Sequence, residues 1–165
     1  MGIIRAIVAK VTKKEMKPAA QSSVQTDGDF VRDKVMATLR NTPEIPVARH
    51  NQIAETVLRN PRDLHSIAIL IEDLELTKSK RGAIAHTLGQ TASTFASIHR
   101  QLDLGIEKAA WRHSGAPCKA SLDETHRSLD GKIYLLTEGL LVDGRYVWPG
   151  IEEGCRCTST PVLPF

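Results

Sequence analysis

The sequence predicts an α+β chain, with an N-terminal helical region followed by a small glycine-rich C-terminal module that contains a β-hairpin. Three observations carry this reading. Apolar residues recur at helical spacing between positions 29 and 105. Past Trp111 those stripes stop and glycines appear every few residues. An Asp143-Gly144 pair then sits between two short apolar runs. The chain accordingly divides into a basic arm and linker over residues 1–28, a helical region over 29–105 and a C-terminal module over 106–165.

Taken in order, residues 15–28 are small and polar without periodicity, as a linker is. From Asp29, the positions Phe30, Val31, Val35, Met36 and Leu39 form one helical face up to Arg40, and Asn41-Thr42-Pro43 closes the segment. A second helix is expected from about Ala48 to Arg59 on Ile53, Val57 and Leu58. Asn60 reads as the cap of a third, with Pro61 as its first residue because proline lacks the amide that would be orphaned there. Its stripe is Leu64, Ile67, Leu70, Ile71 and Leu74. The longest helix starts near Thr77 or Ser79 and ends near Leu102, with Ile84, Leu88, Ala92, Phe95, Ile98 and Leu102 on one face. Leu104-Gly105 supplies its stop. Beyond it, Lys132–Leu136 and Tyr146–Trp148 read as strands, and Asp143-Gly144 as the turn joining Leu140-Leu141-Val142 to Tyr146-Val147-Trp148.

Composition narrows the function classes. With 41% hydrophobic and 25% charged residues in 165, wholesale disorder is not expected, and no apolar run is long enough to span a bilayer. The opening segment carries its basic residues after a short apolar patch and has no small-residue cleavage site, so no secretory signal is read. Position 6 is Ala, against myristoylation. A net charge of +3 is too small for a dedicated DNA binder. It is nonetheless uneven: Arg5, Lys10, Lys13, Lys14 and Lys17 face one acid, Glu15, making a basic arm that is the candidate contact for DNA. The alternative is a plain solvated terminus.

The chemistry-bearing residues lie in the last third. Cys118 and His126 form a Cys-x7-His pair, followed by Cys155-x-Cys157. Four soft or borderline donors in a small segment suit a tetrahedral Cys3His zinc site, although the spacing is not that of paired Cys-x2-Cys knuckles. The plainer alternative has the cysteines packing as small apolar residues and His126 making an ordinary hydrogen bond. His113 is a candidate substitute ligand, the plainer alternative being a polar surface or hydrogen-bonding residue. Two catalytic arrangements are also open. Cys118 or Cys157 with His126 would make a thiolate–imidazolium pair, with Arg156 lowering the thiol pKa, and His113, Asp123, Glu124 and His126 would hold a hydrolytic metal. A deaminase Cys-x-x-Cys and a phosphate-binding glycine loop are absent from the sequence.

The same stretch resembles a known family. Trp111-Arg112-His113-Ser114-Gly115, Thr125-His126, Leu129-Asp130-Gly131-Lys132-Ile133-Tyr134, Pro149-Gly150 and Cys155-Arg156-Cys157 are together similar to the signature of the phage Mu F-like head morphogenesis proteins. Upstream, Leu76-Thr77, Arg81-Gly82-Ala83-Ile84-Ala85 and Leu104-Gly105-Ile106 resemble the helix preceding that signature, so the likeness covers about residues 76–160. Asp123 stands where the family has arginine, and the stretch between Ser114 and His126 is longer and carries Cys118. The resemblance implies a non-enzymatic minor head protein. It would act in procapsid assembly with portal and capsid proteins, in the virion head and, during assembly, in the bacterial host cytoplasm. The competing readings are a toxin-like effector domain and a zinc-stabilised nucleic-acid-binding module.

Overall fold

The structure, a computed structural model, describes residues 27–163. The basic-arm residues Arg5, Lys10, Lys13, Lys14 and Lys17 lie outside that range. The architecture is α+β: four helices, then a short three-stranded antiparallel sheet and a separate hairpin, with a fifth helix set between the first two strands of the sheet.

Helix α1 (Asp27–Arg40) packs on α4 (Lys78–Asp103), and α2 (His50–Arg59) and α3 (Leu64–Ile69) complete the helical layer. Their apolar stripes meet as the spacing predicts: Val31, Val35, Leu39, Ile53, Val57, Ile67, Ile71, Ile84, Leu88, Ala92, Phe95 and Ile98 are all buried in one core. Helix α4 begins where Thr77 accepts the Lys80 amide and ends before Gly105, whose φ of +76° lets the chain reverse.

Helix α3 departs from the expectation. It starts at Leu64, not Pro61. Its cap is Asp63, whose carboxylate accepts the Ser66 amide at 3.1 Å and the Ser66 hydroxyl at 2.7 Å. A charged acceptor with two donors outcompetes Asn60, which instead ends α2 and accepts from the Arg62 amide.

In the C-terminal part, β1 (Lys108–Arg112) is central, flanked by β2 (Ile133–Leu135) and β5 (Thr158–Val162), both antiparallel to it. Helix α5 (Ala120–Ser128) lies between β1 and β2 in sequence. Strands β3 (Leu140–Val142) and β4 (Arg145–Val147) form the anticipated hairpin, with Asp143 and Gly144 both at positive φ, as a two-residue I′ turn requires. This part does not bury its apolar surface alone. Ala109, Tyr134 and Leu136 enter the helical core, and Trp148 stacks edge-on against Phe95 with ring centroids 5.0 Å apart. A second, smaller cluster gathers Trp111, Cys118, Leu129, Val147, Cys155 and Cys157.

Candidate metal centre

Three segments converge on that smaller cluster. Cys118 sits in the irregular loop between β1 and α5, His126 on α5, and Cys155 and Cys157 in the loop entering β5. All four side chains are buried, and their ligand atoms lie within 4.8 Å of one another. The sulfurs of Cys118 and Cys157 are 3.7 Å apart, and Nδ1 of His126 lies 3.3 Å from Cys155 Sγ and 3.8 Å from Cys157 Sγ. Residues that sequence spacing only suggested as a set are therefore one constellation able to hold a metal ion.

The surroundings are organised for such a role. His126 Nε2 lies 2.9 Å from a carboxylate oxygen of Glu152, whose other oxygen accepts from Arg145. With the proton on Nε2, the Nδ1 lone pair faces the thiols, the outer-shell arrangement that sets a metal-binding histidine's tautomer. Two backbone amides point at sulfur, Gly150 N to Cys155 Sγ and Arg156 N to Cys118 Sγ, each at 3.3 Å. Trp111 is fully buried, its ring edge-on to His126 with centroids 5.2 Å apart. Its indole N–H has no partner at full hydrogen-bond geometry, yet it lies close enough to Cys157 to favour the thiolate there.

Cys155 and Cys157 resist ionisation. Burial pushes both Cys155 and Cys157 above the usual thiol range, and the nearby Cys118 sulfur pushes each further in the same direction. Three buried thiolates without a cation would repel one another in a medium that solvates charge poorly. A divalent ion removes that conflict, and the donor set suits a thiophilic metal.

The expectation that Arg156 would depress the thiol pKa is corrected here. Its side chain is exposed, its backbone amide rather than its guanidinium touches sulfur, and burial dominates. The raised pKa of Cys157 opposes its pairing with His126 as a thiolate–imidazolium nucleophile. The proposed hydrolytic quartet does not assemble either: His113 and Asp123 group with Cys118, His126 faces the thiols, and Glu124 is exposed.

His113 lies beside the cluster. Its Nε2 is 3.3 Å from Asp123 Oδ1, and its Nδ1 accepts the Gly115 amide. Asp123 also accepts the Cys118 amide at 2.8 Å and Arg127 at 2.8 Å, and these donors, the amide first, hold its carboxyl down to about 2. Glu152, Gly150 and the supporting role of Asp123 were not legible in sequence. Glu152 and His126 are 26 residues apart, and the shorter-range bonds of Gly150 and Asp123 follow no helical or strand periodicity.

Comparison of the chain with protein-family models, with curated proteins and with solved structures gives no match. No helix among the described residues is long and apolar enough to cross a membrane.

Proposed function

We propose that Cys118, His126, Cys155 and Cys157 hold a structural zinc ion that stabilises the C-terminal module of a phage minor head protein. One observation carries the metal reading: the four buried ligand atoms lie within 4.8 Å of one another, and three of their six separations are close to the edges of a tetrahedral zinc shell. Bond lengths of about 2.3 Å to sulfur and 2.0–2.1 Å to nitrogen give S···S edges of about 3.8 Å and S···N edges of about 3.6 Å. The structure has 3.7 Å for Cys118–Cys157, and 3.3 and 3.8 Å for the two sulfurs around His126 Nδ1. Four protein ligands leave no open position for a substrate or water, which supports a structural rather than a catalytic centre.

The module is small, and Ala109, Tyr134 and Leu136 pack into the helical core rather than into a core of its own. Joining two loops and helix α5 through one ion supplies cohesion that its own hydrophobic surface does not. The head-protein assignment rests on the resemblance of Trp111 to Cys157, and its support is spatial. Trp111, His126, Cys155 and Cys157, spread over the resembling segment, pack into one cluster, so the segment is a folded unit with a shared centre. In this reading the protein is not an enzyme. It acts with portal and capsid proteins in the virion head, and the basic arm is the candidate contact for DNA.

Metal analysis of protein purified without added metal tests the centre. About one equivalent of zinc is expected, with the three thiols protected from titration in the native state. Metal-free protein with all three thiols freely titratable would exclude it. Sedimentation of assembled heads tests the assignment: the protein should travel with portal-containing particles, and its absence from every capsid and procapsid fraction would end the head-protein reading.

A further inference from the structure

We infer that Asp123 is the positioning residue that makes Cys118, rather than the neighbouring His113, the fourth ligand of the metal centre. The inference rests on the metal reading above and concerns how the ligand set is chosen.

Cys155 and Cys157 are anchored by the strand that follows them, and His126 by helix α5. Cys118 has no such support. It lies in a loop without regular structure, and its amide has no backbone partner in a helix or sheet. Asp123 supplies the acceptor instead, binding the Cys118 N–H at 2.8 Å through Oδ1. That oxygen is itself fixed, because Asp123 sits in the first turn of α5 and its Oδ2 accepts Arg127 one turn along the helix at 2.8 Å. The Cys118 backbone is thus referenced to the helix that carries His126, and two ligands from different elements are held in register by one carboxylate.

The same oxygen restrains the competing ligand. The ligand atoms of His113, Cys118 and Asp123 lie within 4.8 Å of one another, so His113 is the further donor adjoining the Cys118 position. Its Nε2 is engaged by Asp123 and its Nδ1 by the Gly115 amide, so both ring nitrogens already have partners. Removing the carboxylate would free the loop and the imidazole together. Charge alone predicts the opposite outcome: three neutral thiols that give up protons to a divalent ion leave the site one unit more negative, so deleting a neighbouring anion would favour binding. The two accounts therefore differ in sign.

The test titrates cobalt, a spectroscopic stand-in for zinc, into the full chain and reads affinity together with the thiolate-to-cobalt charge-transfer band. Cys118→Ser provides the two-thiolate reference. Asp123→Ala should bind about ten- to a hundredfold more weakly, the usual loss when an outer-shell partner is removed, and its band should fall towards that reference. Asp123→Asn keeps an oxygen acceptor for the Cys118 amide and should restore the parental band, which also settles the matter if the alanine variant does not fold. Parental affinity and band in Asp123→Ala, or an Asp123→Asn band as weak as that of Cys118→Ser, would overturn the inference while leaving the metal centre standing. A parent protein that binds neither cobalt nor zinc would instead overturn the metal reading, and this role for Asp123 with it.

Discussion

Replacing Gly150 with alanine should damage the metal centre through the backbone, without touching a ligand. Gly150 has φ of +85°, and its amide donates to Cys155 Sγ at 3.3 Å. An added Cβ would stand 3.0 Å from Gln90 Nε2 on α4 and 3.2 Å from the carbonyl oxygen of Cys157. Two costs follow. Holding an L-residue in the left-handed region costs about 1–2 kcal/mol. The crowding adds to it: the Gln90 amide can swing aside, but the Cys157 carbonyl cannot yield without carrying a ligand with it, and overpacking of this kind costs about 1–3 kcal/mol.

Gly105 separates the two costs. Its φ is +76°, yet a Cβ there meets nothing within 4 Å, so Gly105→Ala carries the backbone cost alone. Gly150→Ala should therefore exceed Gly105→Ala by about 1–3 kcal/mol. At about 2–4 °C per kcal/mol for a chain of this size, the difference is several degrees in melting temperature. Thermal unfolding of both variants with zinc and with chelator, beside a zinc-competition titration, measures it. Only Gly150→Ala should lose zinc affinity. Equal destabilisation at the two glycines, or unchanged zinc affinity in Gly150→Ala, would refute the reasoning.

Other perturbations address the remaining supports. Glu152→Gln weakens the acceptor on His126 Nε2 and breaks the Arg145 ion pair, so zinc affinity should fall by about ten- to a hundredfold in a competition titration. Trp111→Ala empties a fully buried site between the sheet and His126 and should cost about 3–5 kcal/mol in chemical denaturation, whereas Trp111→Phe should retain most of that stability. Asp123, held down to about 2 from an ordinary 3.8 by the Cys118 amide first and then by Arg127, favours the folded state above pH 3.8. That contribution should fade as pH falls from 3.8 through 2. Acid unfolding of metal-free Asp123→Asn should accordingly show a shallower loss over that window than the metal-free parent.

Legibility differed between the two halves of the chain. The helices were readable because burial on one side leaves a periodic trace: Ile84, Leu88, Ala92, Phe95 and Ile98 step by three or four and all face the core. The hairpin was readable because Asp143-Gly144 alone satisfies two consecutive positive φ angles. The missed elements leave no such trace. Strand β1 buries Ala109, Ala110 and Trp111 consecutively, so it shows no alternation. Helix α5 buries only His126, and β5 contains Pro161 on a sheet edge. The start of α3 could have been found, since Asp63 stands three residues before Ser66, the spacing of a cap.

The fourfold set Cys118, His126, Cys155 and Cys157 was the sequence's own suggestion, drawn from residue types whose chemistry is the same wherever they are placed. Whether those donors meet depended on the path of the chain, because 28 residues separate His126 from Cys155 and only the packing of β1, α5 and β5 brings them together. What sequence determined was therefore the α+β class and the inventory of donors, both of which follow from local pattern and composition. Tertiary structure alone decided that the donors share one buried volume, that Glu152 orients the histidine, and that Asp123 fixes one loop while engaging His113. Those relations are side-chain contacts made by irregular loops and by residues as far as 26 positions apart, and no periodicity or spacing encodes them.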